Sequence, residues 1–295
     1  MRTALNALTD ELRRLKTTGI KSVNVSEAGL FALRAVIRGR PSSGPVAVDL
    51  AAVARPIATP PLPVAKPKAV EPKLPPPPVV TLPVGDKASR WAALVAAAHA
   101  DPVALAHVPP GKKIVCGTGN LDARIFFIGD APGLEEETEG QPFVGPAGQL
   151  LTKMIGAMGL QRAQVYLASL VTWRPDAMAP AAAGQMGHRG PTEEEMRYCL
   201  PYLRAQIEIV QPTLLVALGS SAAQGLLGSN AFKALGEVRG EWREFAGCPL
   251  LVTYHPSYIL RNQSNRSKRM IWEDLLKVME RAALPISEKQ RTFFL

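Results

Sequence analysis

Ile125-Phe126-Phe127-Ile128-Gly129-Asp130-Ala131-Pro132-Gly133 is the stretch on which the fold turns. Its first four residues are a short apolar run, the pattern of a strand buried on both faces. Gly129, Pro132 and Gly133 then force a tight turn that lets backbone come close to a ligand. Glu135, Glu136 and Glu137 follow as an acidic loop. Phe143, Gly145 and Gly148 come next, and a helix is expected from about Gly148 to Met158. Strand, glycine turn and helix in that order make one crossover of an open α/β sheet. Such sheets bind ligands at the carboxyl ends of their strands. Phe143 stands between Pro142 and Val144, in a loop with no other reason to hold an aromatic ring, which marks the turn as a binding element.

Outward from this crossover, the same alternation repeats toward the C-terminus. Strands are expected at 164–171, 212–218 and 249–253, with helices at 192–209, after Gly219-Ser220-Ser221, and at 267–281. Strands alternating with helices predict an α/β fold, a three-layer α/β/α sandwich around a four-stranded, mainly parallel sheet. This domain should span 87–295 and open with a helix near Trp91. Toward the N-terminus, residues 41–86 are a Pro- and Ala-rich linker that includes Pro75-Pro76-Pro77-Pro78, a composition that builds no core and is expected to be poorly ordered. Residues 1–40 read as two short helices, the second capped near Ser26, with no chemistry of their own.

Composition narrows the function classes. The chain has 295 residues and a formal net charge of +9. No apolar run reaches the length of a membrane span, and the first residues mix basic and acidic groups without an apolar block, so neither a span nor a secretory signal is expected. Cys116, Cys199 and Cys248 are the only cysteines and are widely spaced, which argues against a disulfide scaffold and for a reducing compartment. A basic chain built on a glycine-turn α/β core points to a polyanionic partner, nucleic acid first. Arg261, Arg266, Lys268 and Arg269 form a basic run suited to a DNA backbone. Helix starts at Gly145–Gly148 and at Ser220-Ser221 offer amide donors to phosphates.

Three expected strand ends hold distinctive residues: Gly129–Gly133, Ser169–Pro175 and His255–Arg261. In a parallel sheet they share one rim and can converge on one pocket. The motifs Gly129-Asp130-Ala131-Pro132-Gly133, Gly140-Gln141-Pro142-Phe143-Val144-Gly145 and His255-Pro256-Ser257-Tyr258-Ile259-Leu260-Arg261 resemble those of family 4-type uracil-DNA glycosylases. Arg174-Pro175, Arg189-Gly190-Pro191-Thr192 and Cys199-Leu200-Pro201 support the match, which covers about 111–281. The resemblance implies a monofunctional DNA repair glycosylase. It would flip uracil out of DNA and hydrolyse its N-glycosidic bond to leave an abasic site.

The resemblance also implies roles. Phe143 would stack on the flipped uracil. His255 would stabilise negative charge growing at uracil O2. Glu136 would position water or stabilise the sugar cation, with Glu135 and Glu137 as surface or cap residues. Backbone at Asp130 and Ala131 would bond the base, and Ser169 would face its edge. Gly145, Gly148, Ser220, Ser221, Ser257, Tyr258 and Arg261 would meet DNA, with 258–260 as the wedge. Partners would be uracil-containing DNA and a repair protein recruited by the N-terminal segment, with no membrane. The location would be cytoplasmic, bacterial in type and nucleoid-associated.

Two departures stand out. The family holds a four-iron four-sulfur cluster on four cysteines, and here only Cys199 stands at a matching position. Trp173 replaces another, so no cluster, no other cofactor and no metal is expected, and Trp173 should fill that space. Cys116, Cys199 and Cys248 should be buried small hydrophobes. Second, Ser169 replaces the asparagine that reads the uracil edge. A hydroxyl is shorter than an amide and offers one rotatable donor. The alternatives this opens are a binder without turnover and a glycosylase for another deaminated base such as hypoxanthine or xanthine.

Overall fold

The structure is a computed structural model that describes residues 74–175 and 189–295. The expected helices over 1–40, most of the linker over 41–86 and the loop over 176–188 lie outside the described residues.

Four parallel strands form the centre of the sheet: β2 (Ile125–Gly129), β3 (Tyr166–Ser169), β4 (Leu214–Leu218) and β6 (Cys248–Thr253). The sheet has six strands rather than four, because short antiparallel strands pair with both edges. β1 (Thr118–Gly119) pairs with β3, and β5 (Trp242–Phe245) pairs with β6, giving the order β1-β3-β2-β4-β6-β5. Neither edge strand has an apolar run to announce it. β1 is two residues long, and β5 exposes both of its middle side chains, Arg243 and Glu244. β5 turns into β6 through Ala246-Gly247, both at positive φ (51° and 76°), the backbone of a tight hairpin turn.

β2 is covered on both faces, as its apolar run requires. Phe126 and Ile128 enter one cluster, with Met196, Cys199 and Leu203 of α5 (Glu193–Val210) and Leu226 of α6 (Ser220–Leu227). Ile125 and Phe127 enter the other, with Leu151 and Ile155 of α4 (Pro146–Ala157) and Leu275 and Val278 of α8 (Asn265–Arg281). Helices therefore cover both faces of the sheet. Phe126, Phe127 and Ile128 are fully buried, and each contributes about 1.5–3 kcal/mol by leaving water.

The domain's first helix, α1 (Lys87–His99), is capped by Asp86, which accepts from Ser89 N–H at 2.7 Å. Residues 74–86 have no regular secondary structure. Leu74 nonetheless packs on the α5 cluster, and Val80 and Leu82 pack against Leu94, Tyr202 and Ile209. α2 (Pro102–His107) follows α1. Two short helices stand where loops were expected: α3 (Leu134–Glu139) in the acidic run and α7 (Pro256–Arg261) after β6. Each is six residues long, too short for a periodic pattern to show. α9 (Glu288–Arg291) ends the ordered elements.

Candidate active site

The carboxyl ends of β2, β3, β4 and β6 open on one cavity of about 550 Å³. Asp130, Ala131, Glu136, Phe143, Gly145, Ser169, Ser220, Ser221, His255, Ser257 and Arg261 all line it. Gly148 and Tyr258, expected at the DNA contact, do not. Gly148 lies beneath Phe143, where a Cβ would come within 1.9 Å of the Phe143 carbonyl oxygen. Tyr258 stacks on Tyr254, ring centres 4.5 Å apart.

Phe143 is held in an uncommon conformation. Its φ is +57°, in the left-handed region that non-glycine residues enter at a cost. Gly129 lies against its ring, and a Cβ there would meet Phe143 Cζ at 2.6 Å. Arg162 donates to the neighbouring Pro142 carbonyl at 2.6 Å and to Thr152 Oγ1 at 3.2 Å. Phe143 is only 7% exposed, and its ring centre lies 6.2 Å from that of His255.

Glu136 is held by three backbone amides. Oε1 accepts from Val144 N–H at 3.0 Å and Gly145 N–H at 2.9 Å, and Oε2 accepts from Gly133 N–H at 3.0 Å. Both oxygens are used to clamp the glycine turn to the Phe143 loop. The physical reason is α3: a Glu three residues into a helix reaches back to the capping residue's N–H. Asp130, also at the cavity, accepts from its neighbour Ala131 N–H at 2.9 Å. Glu137, expected at the surface, is buried and ion-paired with Arg174 at 2.6 Å, which ties α3 to the chain leaving β3. Glu135 also lines the cavity. Sequence reading missed these roles because three consecutive glutamates look alike until α3 turns each in its own direction.

His255 caps α7. Its Nδ1 accepts from Ser257 N–H at 3.2 Å and lies 2.8 Å from Ser257 Oγ, which accepts from Arg261 at 3.3 Å. A backbone N–H cannot accept, so Nδ1 is the acceptor and the neutral ring has its proton on Nε2. Gly219, at φ +92°, gives His255 room: a Cβ there would lie 3.0 Å from His255 Cβ. Ser169 ends β3 with 5% exposure and faces the cavity.

The model of the uracil DNA glycosylase superfamily matches residues 116–276. The chain belongs to that superfamily. It is 41% identical over 168 residues to the type-4 uracil-DNA glycosylase of Thermotoga maritima, covering 56% of this chain and 81% of that one. It is 40% identical over 177 residues to the type-4 enzyme of Saccharolobus solfataricus, covering 57% and 76%. A type-5 uracil-DNA glycosylase of Pyrobaculum aerophilum is 29% identical over 180 residues, covering 56% and 73%. The matched region of this glycosylase-superfamily member contains every cavity residue named above.

The position of the family's cluster can be tested on the groups present. Cys199 is fully buried, 3.9 Å from Thr172 Oγ1, and burial pushes its thiol up to about 12. Trp173 is fully buried beside it and stacks on His107 at 4.8 Å. Cys116 and Cys248 are half-buried rather than fully buried, both packed against the α5 cluster. Among the described residues no three His, Cys, Asp or Glu side chains gather as a metal site, and no described helix is long and apolar enough to cross a membrane.

Proposed function

We propose that this protein excises uracil from DNA by hydrolysing its N-glycosidic bond, and that His255 is the residue on which the chemistry turns. The observation that supports this most is His255 in a cavity shared with Phe143, its Nδ1 engaged by the Ser257 amide. A uracil flipped from the stack would lie against Phe143. As its bond to the sugar breaks, the electron pair moves onto the base and charge gathers at O2. A preset Nε2–H donor stabilises that charge. Water adds to the sugar carbon, and the products are free uracil and an abasic site. We assign the side of the sugar and water to Asp130, and a positioning role to Glu136, because the latter's oxygens are already taken by three amides. Among the described residues no lysine lines the cavity, which fits hydrolysis without lyase chemistry.

Gly145, Ser220 and Ser221 stand at helix starts and are suited to phosphates, with Arg261 beside them. The reaction as proposed draws on no iron–sulfur cluster. Four thiolates are needed for one, the chain has three cysteines, and Trp173 is fully buried in the same apolar cluster as Cys199. The domain boundaries at 41 and 87, recruitment of a repair partner by 1–40 and residence on nucleoid DNA belong to the same proposal and rest on the sequence.

The test is cleavage of a labelled oligonucleotide with one uracil, followed by alkali. Wild type should cleave, and His255→Ala should lose about 100–1,000-fold in rate. Ser169→Asn should cleave several-fold faster, since an amide restores a paired donor and acceptor worth about 1 kcal/mol or more. Binding without cleavage of uracil, hypoxanthine or xanthine by wild type would make the protein a recognition module instead.

A further inference from the structure

Behind the cavity, Arg239 joins three elements. It lies between α6 and β5, where it bridges to Val252 of β6. Its Nε donates to Asp274 Oδ2 of α8 at 3.0 Å, and its second nitrogen donates to the Met270 carbonyl at 2.5 Å. Its Cζ sits 5.5 Å from the centre of the Tyr254 ring. Tyr254 stacks on Tyr258 of α7 with 14° between the planes. Asp274 Oδ2 also accepts from Thr253 Oγ1 at 2.6 Å. Lys277 faces the same place, donating to Gly240 O at 2.7 Å. Thr253 and Tyr254 are thus both anchored to α8, immediately before His255. None of these contacts reaches the cavity, so the catalytic roles above leave them unexplained.

Only a planar guanidinium satisfies a carboxylate, a carbonyl and an aromatic face together; an ammonium is a compact point charge. We propose that Arg239, anchored by Asp274, is a positioning residue that fixes the Tyr254–Tyr258 stack and so the angle at which α7 meets duplex DNA. The inference rests on the glycosylase reading. The outer edge of α7 presents Leu260, 41% exposed, beside Arg261. An apolar side chain there can fill the gap left by an extruded base. That gap exists in a stacked duplex and has little meaning in a single strand. Misplacing α7 should therefore harm duplex cleavage far more than single-strand cleavage, which a loss of general fold integrity would not do.

The experiment compares kcat and KM on the same uracil oligonucleotide, single-stranded and in duplex, for wild type, Arg239→Lys and Tyr254→Leu. Arg239→Lys keeps a positive charge beside Asp274, and Tyr254→Leu leaves the buried ion pair intact, so both should fold. Each should lower duplex kcat/KM about tenfold, the equivalent of ~1.4 kcal/mol, with less than threefold loss on the single strand. Equal losses on both substrates, or no loss on either, overturn the inference while wild-type cleavage still stands. Absence of cleavage by wild type overturns the glycosylase reading and the inference with it.

Discussion

Two regions that follow the same strand treat their polar groups in opposite ways. At the end of β3, Ser169 faces an open cavity lined by Asp130, Ser220, Ser221 and His255. Four residues later, Trp173 is sealed in a knot where polar groups are closed on one another. Asp101 accepts from Tyr198 and Tyr202 hydroxyls at 3.0 and 2.7 Å, and from the Val103 and Ala104 amides that start α2. Burial, reinforced by Asp101, raises both tyrosines above the ordinary phenol range. The Trp173 indole N–H is the exception, buried with no partner. The cavity rim instead has strained backbone at Phe143, glycines pressed against it and a carboxylate clamp. Stability is concentrated in the knot, and preorganisation in the rim.

Three changes sharpen or break that contrast. The largest effect should come from Gly148→Ala. Its Cβ would strike the Phe143 carbonyl, which is backbone and cannot swing aside, so Phe143 must leave its left-handed conformation. Uracil excision should fall below detection in the oligonucleotide assay. Activity near wild type would mean that the rim is not preorganised.

Next is Asp101→Ala in the knot. It strands two buried hydroxyls, at about 1–3 kcal/mol each. Denaturant titration should show a loss of about 3 kcal/mol, with unchanged specific activity in the folded protein. A matching loss of activity would join the two regions that the geometry separates.

The smallest effect concerns Asp274, buried behind Thr253 at the end of β6. Burial pushes its carboxyl from 3.8 up to about 6, against the pull of Thr253, Arg239 and Lys277. Between about pH 4 and 6 the native protein holds a proton that the unfolded chain has lost. Its contribution to stability is therefore full below pH 4 and falls as pH rises through 6, by at most about 1.4 kcal/mol per unit. Asp274→Asn should flatten that slope in denaturation curves measured from pH 4 to 7. A slope unaltered by the substitution would mean that Asp274 is ionised throughout.

The central strands were legible because each is an apolar run closed by a turn, and burial on both faces permits little else. The cavity was legible because parallel strands must place their carboxyl ends on one rim. The edge strands were not, since β1 is two residues long and β5 presents half of its side chains to water. α3 and α7 were missed for a related reason: six residues of helix are too few to repeat a pattern.

The sequence by itself determined the α/β order and the motifs of the rim. Those are local matters of composition, period and spacing. Tertiary structure decided which of three adjacent glutamates clamps, pairs or lines the cavity, that Gly148 lies beneath Phe143, and that Arg239 stands behind Tyr254. Each depends on residues far apart in the chain, or on a helix too short to read. A side chain's chemistry is set by the atoms that surround it, and only the folded chain brings those atoms together.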